Sequence, residues 1–150
     1  MSNNENYMKF EDHLCFTLYA GSRTILRLYR PHLEKLNLTY PQYLVLLVLW
    51  EKKQSTVKEI GKLLDLDSGT LTPMLKRMEA ANLVERRRDE KDERIVTVKL
   101  TEKGSSLQEK ARCIPQALIE LAGMTEEEIK TLNKAIKKLI QTVKHEGLKD

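Results

Sequence analysis

The sequence predicts a mainly α-helical chain carrying one small β-hairpin, and three observations predict it. Apolar residues recur at helical spacing along most of the 150 residues; helix-start signatures stand at Thr39, Thr56 and Thr125; and the hydrophobic period drops to two only between Val84 and Leu100. With 41% apolar and 32% charged residues and few glycines, prolines or aromatics, the composition suits one helix-rich globular chain, not two independent domains.

The first helix is expected from about Phe10 to Leu36, bent or interrupted at Pro31. On it Cys15, Tyr19, Ser22, Leu26 and Tyr29 are three or four residues apart in turn and so share a face, beside an apolar stripe of Leu14, Leu18, Ile25 and Leu28. A thiol in line with phenols suggests a chemical sensor. At the rise of an α-helix Cys15 and Tyr29 lie roughly 21 Å apart along the axis, so they meet only across two antiparallel copies. That face is either a buried packing seam or an intersubunit thiol site, and a free cysteine is often simply a small buried hydrophobe.

Thr39, Tyr40, Pro41 and Gln42 have capping-box form and open the apolar run to Trp50; Thr56 to Glu59 repeat the form before a short helix faced by Ile60, Leu63 and Leu64. The stretch Asp65 to Gly69 breaks that helix, and Leu71, Met74, Leu75 and Met78 resume the pattern until Asn82 offers a left-handed cap. Pro73 is expected in the first turn of this second helix, with Ser68, Gly69, Thr70 and Thr72 at or just before its start. Helix, tight turn, helix is the arrangement in which the second helix enters the major groove of DNA by its N-terminal end.

From Val84 through Arg86 and Arg88, and again from Ile95 to Leu100, the period is that of a strand, which predicts a charged hairpin turning at Asp89 to Asp92. Arg94 stands near its tip beside Asp92, an acid able to hold a guanidinium in the pose that enters a narrow minor groove. Seven cations and six acids share residues 76–94, so any basic surface there comes from geometry and not from local net charge. The expected DNA-contacting set is Asp67, Ser68, Gly69, Thr70, Thr72, Lys76, Arg77, Arg86, Arg88, Asp92 and Arg94, with Lys76 and Arg77 acting mainly on phosphates.

Thr101 opens a further helix, expected to bend at Pro115, and Thr125 to Glu128 cap the last one, whose Ile129, Leu132, Ile136, Leu139, Ile140 and Val143 form a stripe. The fold class is therefore a winged helix-turn-helix over residues 39–100, flanked by helical dimerisation regions at 1–38 and 101–150. The apolar faces left over at both ends favour a homodimer.

The longest apolar run, Tyr43 to Trp50, is too short to cross a bilayer, and Asn3, Asn4, Glu5 and Asn6 lack the order of a signal peptide, so the chain reads as cytoplasmic. Its two cysteines are then expected as thiols whose bridges, if formed, are transient. His13, His32 and His145 have no metal-ligand spacing, and no metal or cofactor is expected. No thiolate-activating Arg or His motif accompanies Cys15, which argues against a thiol peroxidase and against an enzyme generally.

Leu14-Cys15-Phe16 with Tyr19, Tyr29 and Thr39 to Tyr43, then Leu66 to Arg77, Asp92-Glu93-Arg94 and Leu100-Thr101-Glu102, resemble the MarR family of winged-helix repressors. Within it, Cys15 with Tyr29 and Tyr40 resembles the organic-hydroperoxide-sensing OhrR branch, and the likeness covers nearly the whole chain. The resemblance implies a dimeric repressor of pseudo-palindromic operator DNA, with Cys15 the reactive thiol and Tyr29 and Tyr40 of the second subunit hydrogen-bonding it. An organic hydroperoxide would oxidise Cys15 and release the DNA, the oxidised sulfur being capped by a small thiol, a backbone nitrogen or a second cysteine. Cys113 departs from the single-thiol pattern: it is either the resolving thiol of the opposite subunit or a buried spectator. An alternative within the family is a repressor released by a small phenolic ligand, with Cys15 inert.

Overall fold

The computed structural model describes residues 9–148, so Asn3 to Asn6 lie outside the described residues. A 3-10 turn, Phe10–Asp12, precedes α1 (Leu14–Lys35), α2 (Tyr40–Lys52), β1 (Gln54–Thr56), α3 (Val57–Leu64) and α4 (Ser68–Ala80). Strands β2 (Val84–Arg88) and β3 (Val96–Leu100) follow, then α5 (Glu102–Ala111), α6 (Cys113–Leu121) and α7 (Glu126–Gly147). The chain divides into two compact units, one up to Ile114 and one from Pro115.

In the first unit the starts of α2 and α3 have an identifiable cause. Thr39 and Thr56 make full capping boxes: the Thr39 hydroxyl accepts from Gln42 N–H at 3.3 Å, the Thr56 hydroxyl from Glu59 N–H at 3.1 Å, and Gln42 and Glu59 reach back to the cap backbones. Asp65 at φ 55° ends α3, its N–H bonded to the Gly61 carbonyl, and Asn82 at φ 60° follows α4 in the left-handed conformation its sequence position suggests.

Four expectations need correction. The first helix does not begin at Phe10: His13 caps it, its Nδ1 accepting from Phe16 N–H at 3.3 Å, and Pro31 does not interrupt it, since the helix continues to Lys35. Pro73 falls in the second turn of α4, because the Asp67 carboxylate accepts from Thr70 N–H at 2.7 Å and so fixes the start at Ser68. Ser68, Gly69, Thr70 and Thr72 are consequently inside the helix, in its first turns. The break near Pro115 lies earlier, at Arg112, where α5 ends and α6 begins, leaving Pro115 in the first turn of α6, where a missing N–H costs least. Finally, the hairpin gains a third strand: β1 pairs antiparallel with β3 (Ser55 opposite Val98), giving the order β1-β3-β2.

The core of this unit is Leu46, Leu49, Ile60, Leu71, Leu75, Met78, Val84 and Val98, all essentially without solvent contact. Val98 on the central strand pairs with Arg86 of β2, which brings the hairpin against the helices. The helix α5 is joined to the same core by a buried bond from Trp50 Nε1–H to the Gly104 carbonyl at 2.9 Å. A Cβ at Gly104 would overlap the Leu83 carbonyl oxygen, so only glycine allows this approach. The Thr101 hydroxyl donates to the Asn82 carbonyl at 2.6 Å and Lys103 Nζ to that of Ala81 at 3.1 Å, tying α5 to the end of α4.

In the second unit Thr125 supplies another full capping box to α7, a 22-residue helix with Glu126, Glu127 and Glu128 in its first turn and Lys144 and His145 in its last, charges that complement the helix dipole. Its Leu132, Leu139, Ile140 and Val143 are all exposed in the single chain. Among the described residues no helix is long and apolar enough to cross a membrane.

Candidate nucleic-acid interface and thiol site

The start of α4 and the hairpin wing line one open concavity of about 1320 Å³, with Ser68, Thr72, Arg86, Arg88, Asp92 and Arg94 in its wall. The acids of this wall orient cations. Asp92 holds Arg94 with two oxygens, Oδ1 to Nε at 3.1 Å and Oδ2 to Nη2 at 3.3 Å, and also accepts from Arg94 N–H at 3.1 Å. The Arg94 guanidinium beside it holds the Asp92 carboxyl below its ordinary range, and the Thr70 N–H bond does the same for Asp67. Arg94 itself is 91% exposed, so the fork presents a pre-oriented guanidinium to the outside.

The wing tip is built and not merely solvated. Asp89 carboxylate accepts from the N–H groups of Lys91 and Asp92 at 2.8 and 3.1 Å, Asp89 N–H bonds the Ile95 carbonyl at 2.9 Å, and Arg88 Nη1 donates to the Glu93 carbonyl at 2.9 Å. Arg86 is held differently: its guanidinium is ion-paired to Glu79 of α4 at 3.2 Å, and its side chain is only 22% exposed. Lys76, Arg77, Gly69 and Thr70 are exposed on α4. The sequence marks Glu79 only as one of six local acids, and it does not single out Lys58 and Lys62 of α3, which line the same concavity; the place of these lysines after the Thr56 cap was the available signal.

The thiol region has the opposite character. Cys15 lies in the first turn of α1 and is exposed, and Tyr19, 61% exposed, has Arg23 stacked on its ring at 5.3 Å. Tyr29 is buried about four turns beyond Cys15 in the same continuous helix, so α1 does not bring its own thiol to its own buried phenol. Instead Tyr29 packs against Tyr40 with ring centroids 6.1 Å apart, Tyr40 against Tyr43 at 6.1 Å, and Tyr43 against Trp50 at 6.2 Å.

Burial raises the pKa of all three phenols, and Tyr43 is pushed up to about 12 by burial first and then by Tyr29, Tyr40 and Cys113. They are therefore protonated donors at neutral pH. Cys113, exposed and with its thiol directed to the Lys110 carbonyl at 3.3 Å, is near enough to Tyr43 to affect its charge. A buried spectator is excluded for Cys113 in the single chain. Tyr43 was the member that sequence reasoning missed, although it follows Tyr40 at helical spacing.

The profile of the SarA/Rot family of transcriptional regulators matches residues 27–111. The organic hydroperoxide resistance transcriptional regulator of Bacillus subtilis (strain 168) is 52% identical over 143 residues, spanning 95% of this chain and 97% of its own. Reduced AbfR bound to DNA is 38% identical with a TM-score of 0.74, over 92% of this chain and 95% of that one. The disulfide-formed AbfR is likewise 38% identical with a TM-score of 0.64, over 91% and 96%; AbfR is a protein of Staphylococcus epidermidis.

Proposed function

The chain belongs to the SarA/Rot and MarR-type winged-helix transcriptional regulators, and from that premise we propose that it is a homodimeric, cytoplasmic repressor that organic hydroperoxides release from operator DNA through Cys15. It acts as a regulator and not as an enzyme. The observation that carries the sensing part is the separation of an exposed Cys15 at the start of α1 from the buried, protonated Tyr29 farther along the same helix, which packs against Tyr40 of α2. Two copies arranged antiparallel complete the site, Cys15 of one chain meeting Tyr29 and Tyr40 of the other, with Tyr19 at the rim.

The chemistry follows from the groups present. The Cys15 thiolate attacks the terminal peroxide oxygen; the S–O bond forms, the O–O bond breaks, and the alkoxide leaves and takes a proton to become the alcohol. Sulfur is oxidised by two electrons and the peroxide is reduced by two. The sulfenic acid then meets either a small thiol or Cys113 of the opposite chain. In both cases the new thiolate attacks sulfur, the S–O bond breaks and hydroxide leaves as water on protonation. What supports Cys113 as the resolving thiol is its exposure, together with its influence, after burial, Tyr29 and Tyr40, on the Tyr43 pKa.

Two recognition helices, one α4 from each chain, must stand roughly 34 to 36 Å apart to read successive turns of a pseudo-palindromic duplex. Capping or bridging Cys15 displaces the phenols at the subunit junction, and a rotation there breaks that spacing.

Operator binding by the wild type and by Cys15→Ser, with and without cumene hydroperoxide and a small thiol, tests the reading. The wild type is expected to fall to non-specific affinity, roughly a thousandfold or more, while Cys15→Ser stays bound. Equal release of both proteins would move the sensor away from Cys15 and towards a phenolic-ligand mechanism. Peptide mapping of the oxidised dimer made without small thiol is expected to give the Cys15–Cys113 bridge, and fully reduced Cys113 would remove it from the mechanism.

A further inference from the structure

One carboxylate joins the two halves of the DNA-facing concavity. Glu79 stands in the last turn of α4, and its Oε2 accepts from the backbone N–H of Arg86 at 2.9 Å while Oε1 accepts from Arg86 Nη2 at 3.2 Å. Arg86 lies at the middle of β2, an edge strand of the sheet, where an outward N–H has no neighbouring strand to bond. Glu79 takes that N–H and the guanidinium of the same residue, so a single side chain of the helix fixes both the strand and the arginine. The Nε of Arg86 is buried without a hydrogen-bond partner among the described residues, and Arg86 lines the concavity together with Thr72, Arg88 and Arg94.

We propose that Glu79 is a positioning residue for DNA recognition, setting the wing and Arg86 relative to the recognition helix through the paired bonds to Arg86. The inference rests on the DNA-binding reading above. The bonds from Arg86, its backbone N–H foremost, hold the Glu79 carboxyl below its ordinary range, so it remains an anion at neutral pH.

Its consequence has a sign that simple electrostatics does not share. Deleting an acid beside a DNA-facing surface removes a repulsion from phosphates and by that effect alone tightens binding. Loss of positioning weakens binding, and only to the duplex whose grooves the helix and wing must engage together. Glu79 is 40% exposed, so its replacement leaves the core intact.

The test uses the full-length dimer and a duplex enriched from a random-sequence pool by the wild-type protein, with a scrambled duplex of equal length as control. Glu79→Ala is expected to lose about tenfold in affinity for the enriched duplex, the scale of one or two hydrogen bonds to a charged group. On the scrambled duplex it loses nothing, and its salt dependence does not flatten. Glu79→Gln, which keeps an acceptor for Arg86, is expected to fall between wild type and Glu79→Ala. Glu79→Ala binding the enriched duplex as tightly as wild type overturns the proposal, as does an equal loss on both duplexes or a Gln variant no better than Ala. Failure of the wild type to enrich any duplex contradicts the DNA-binding reading itself and is distinct from these results.

Discussion

The DNA-facing concavity and the thiol region differ in where their partners lie. In the first, the oriented cations find their partners in the same chain: Arg94 on Asp92, Arg86 on Glu79 and Arg88 on the Glu93 carbonyl. In the second, Cys15 is exposed at one end of α1 while Tyr29 is buried towards the other, its ring packed against Tyr40, which in turn packs against Tyr43. A reading head complete within one chain can be pre-organised, whereas a sensor divided between two chains makes the junction between them the point where chemistry acts on DNA binding. On the reading proposed above, that difference would let oxidation of one sulfur atom act on DNA binding through the junction between the chains.

The comparison can be broken first at its structural base. Leu75→Ala opens a cavity in the fully buried centre of the helix-turn-helix and is expected to cost about 2 to 5 kcal/mol, read by urea unfolding. Cys15→Ala, at an exposed position, is expected to shift the same curve by no more than about 0.5 kcal/mol while abolishing release by peroxide. A large stability loss at Cys15 would make it a packing residue and erase the contrast. Arg94→Ala is expected to weaken operator binding by about 1 to 3 kcal/mol and to leave the peroxide reactivity of Cys15 unchanged. Unaltered affinity would take Arg94 out of the interface.

A smaller effect separates the tyrosine cluster from the wing by pH. The folded state keeps the Tyr43 proton to about pH 12, above the ordinary phenol, because burial disfavours the phenolate. The stabilisation is complete below the usual phenol range and is lost as pH rises from about 10 towards 12, where the unfolded chain ionises first. Urea midpoints at pH 9 and pH 11 are expected to differ in wild type and to differ less in Tyr43→Phe. Smallest of all, Lys76→Ala is expected to reduce the slope of log affinity against log salt by roughly one phosphate contact; an unchanged slope would make Lys76 a bystander.

Much of the first region was legible because its determinants are local. Thr39, Thr56 and Thr125 announce their helices by a hydroxyl and an acceptor three residues apart, Asn82 its turn, and Arg94 its partner two positions away. What escaped was set by tertiary contact or by competition between local signals. Strand β1 is three residues, too short for a period, and exists because β3 offers it an edge. Pro73 suggested a helix start that Asp67 pre-empted one turn earlier. Glu79 meets Arg86 only after the chain has turned at Asn82, and Cys113 comes to Tyr43 from far along the sequence. The face of Cys15, Tyr19 and Tyr29 is present as spacing, yet spacing alone left open whether it was a seam or a site.

A mixed dimer tests the division of the sensor most directly. One chain keeps Cys15 and carries Tyr29→Phe and Tyr40→Phe; the other carries Cys15→Ser and keeps both tyrosines. If each thiol is served by the phenols of the opposite chain, this dimer contains one intact site, and its single Cys15 is expected to react with cumene hydroperoxide at the wild-type rate per thiol. A rate as low as that of the homodimer lacking both tyrosines would contradict the account, because it would mean that each chain serves its own cysteine.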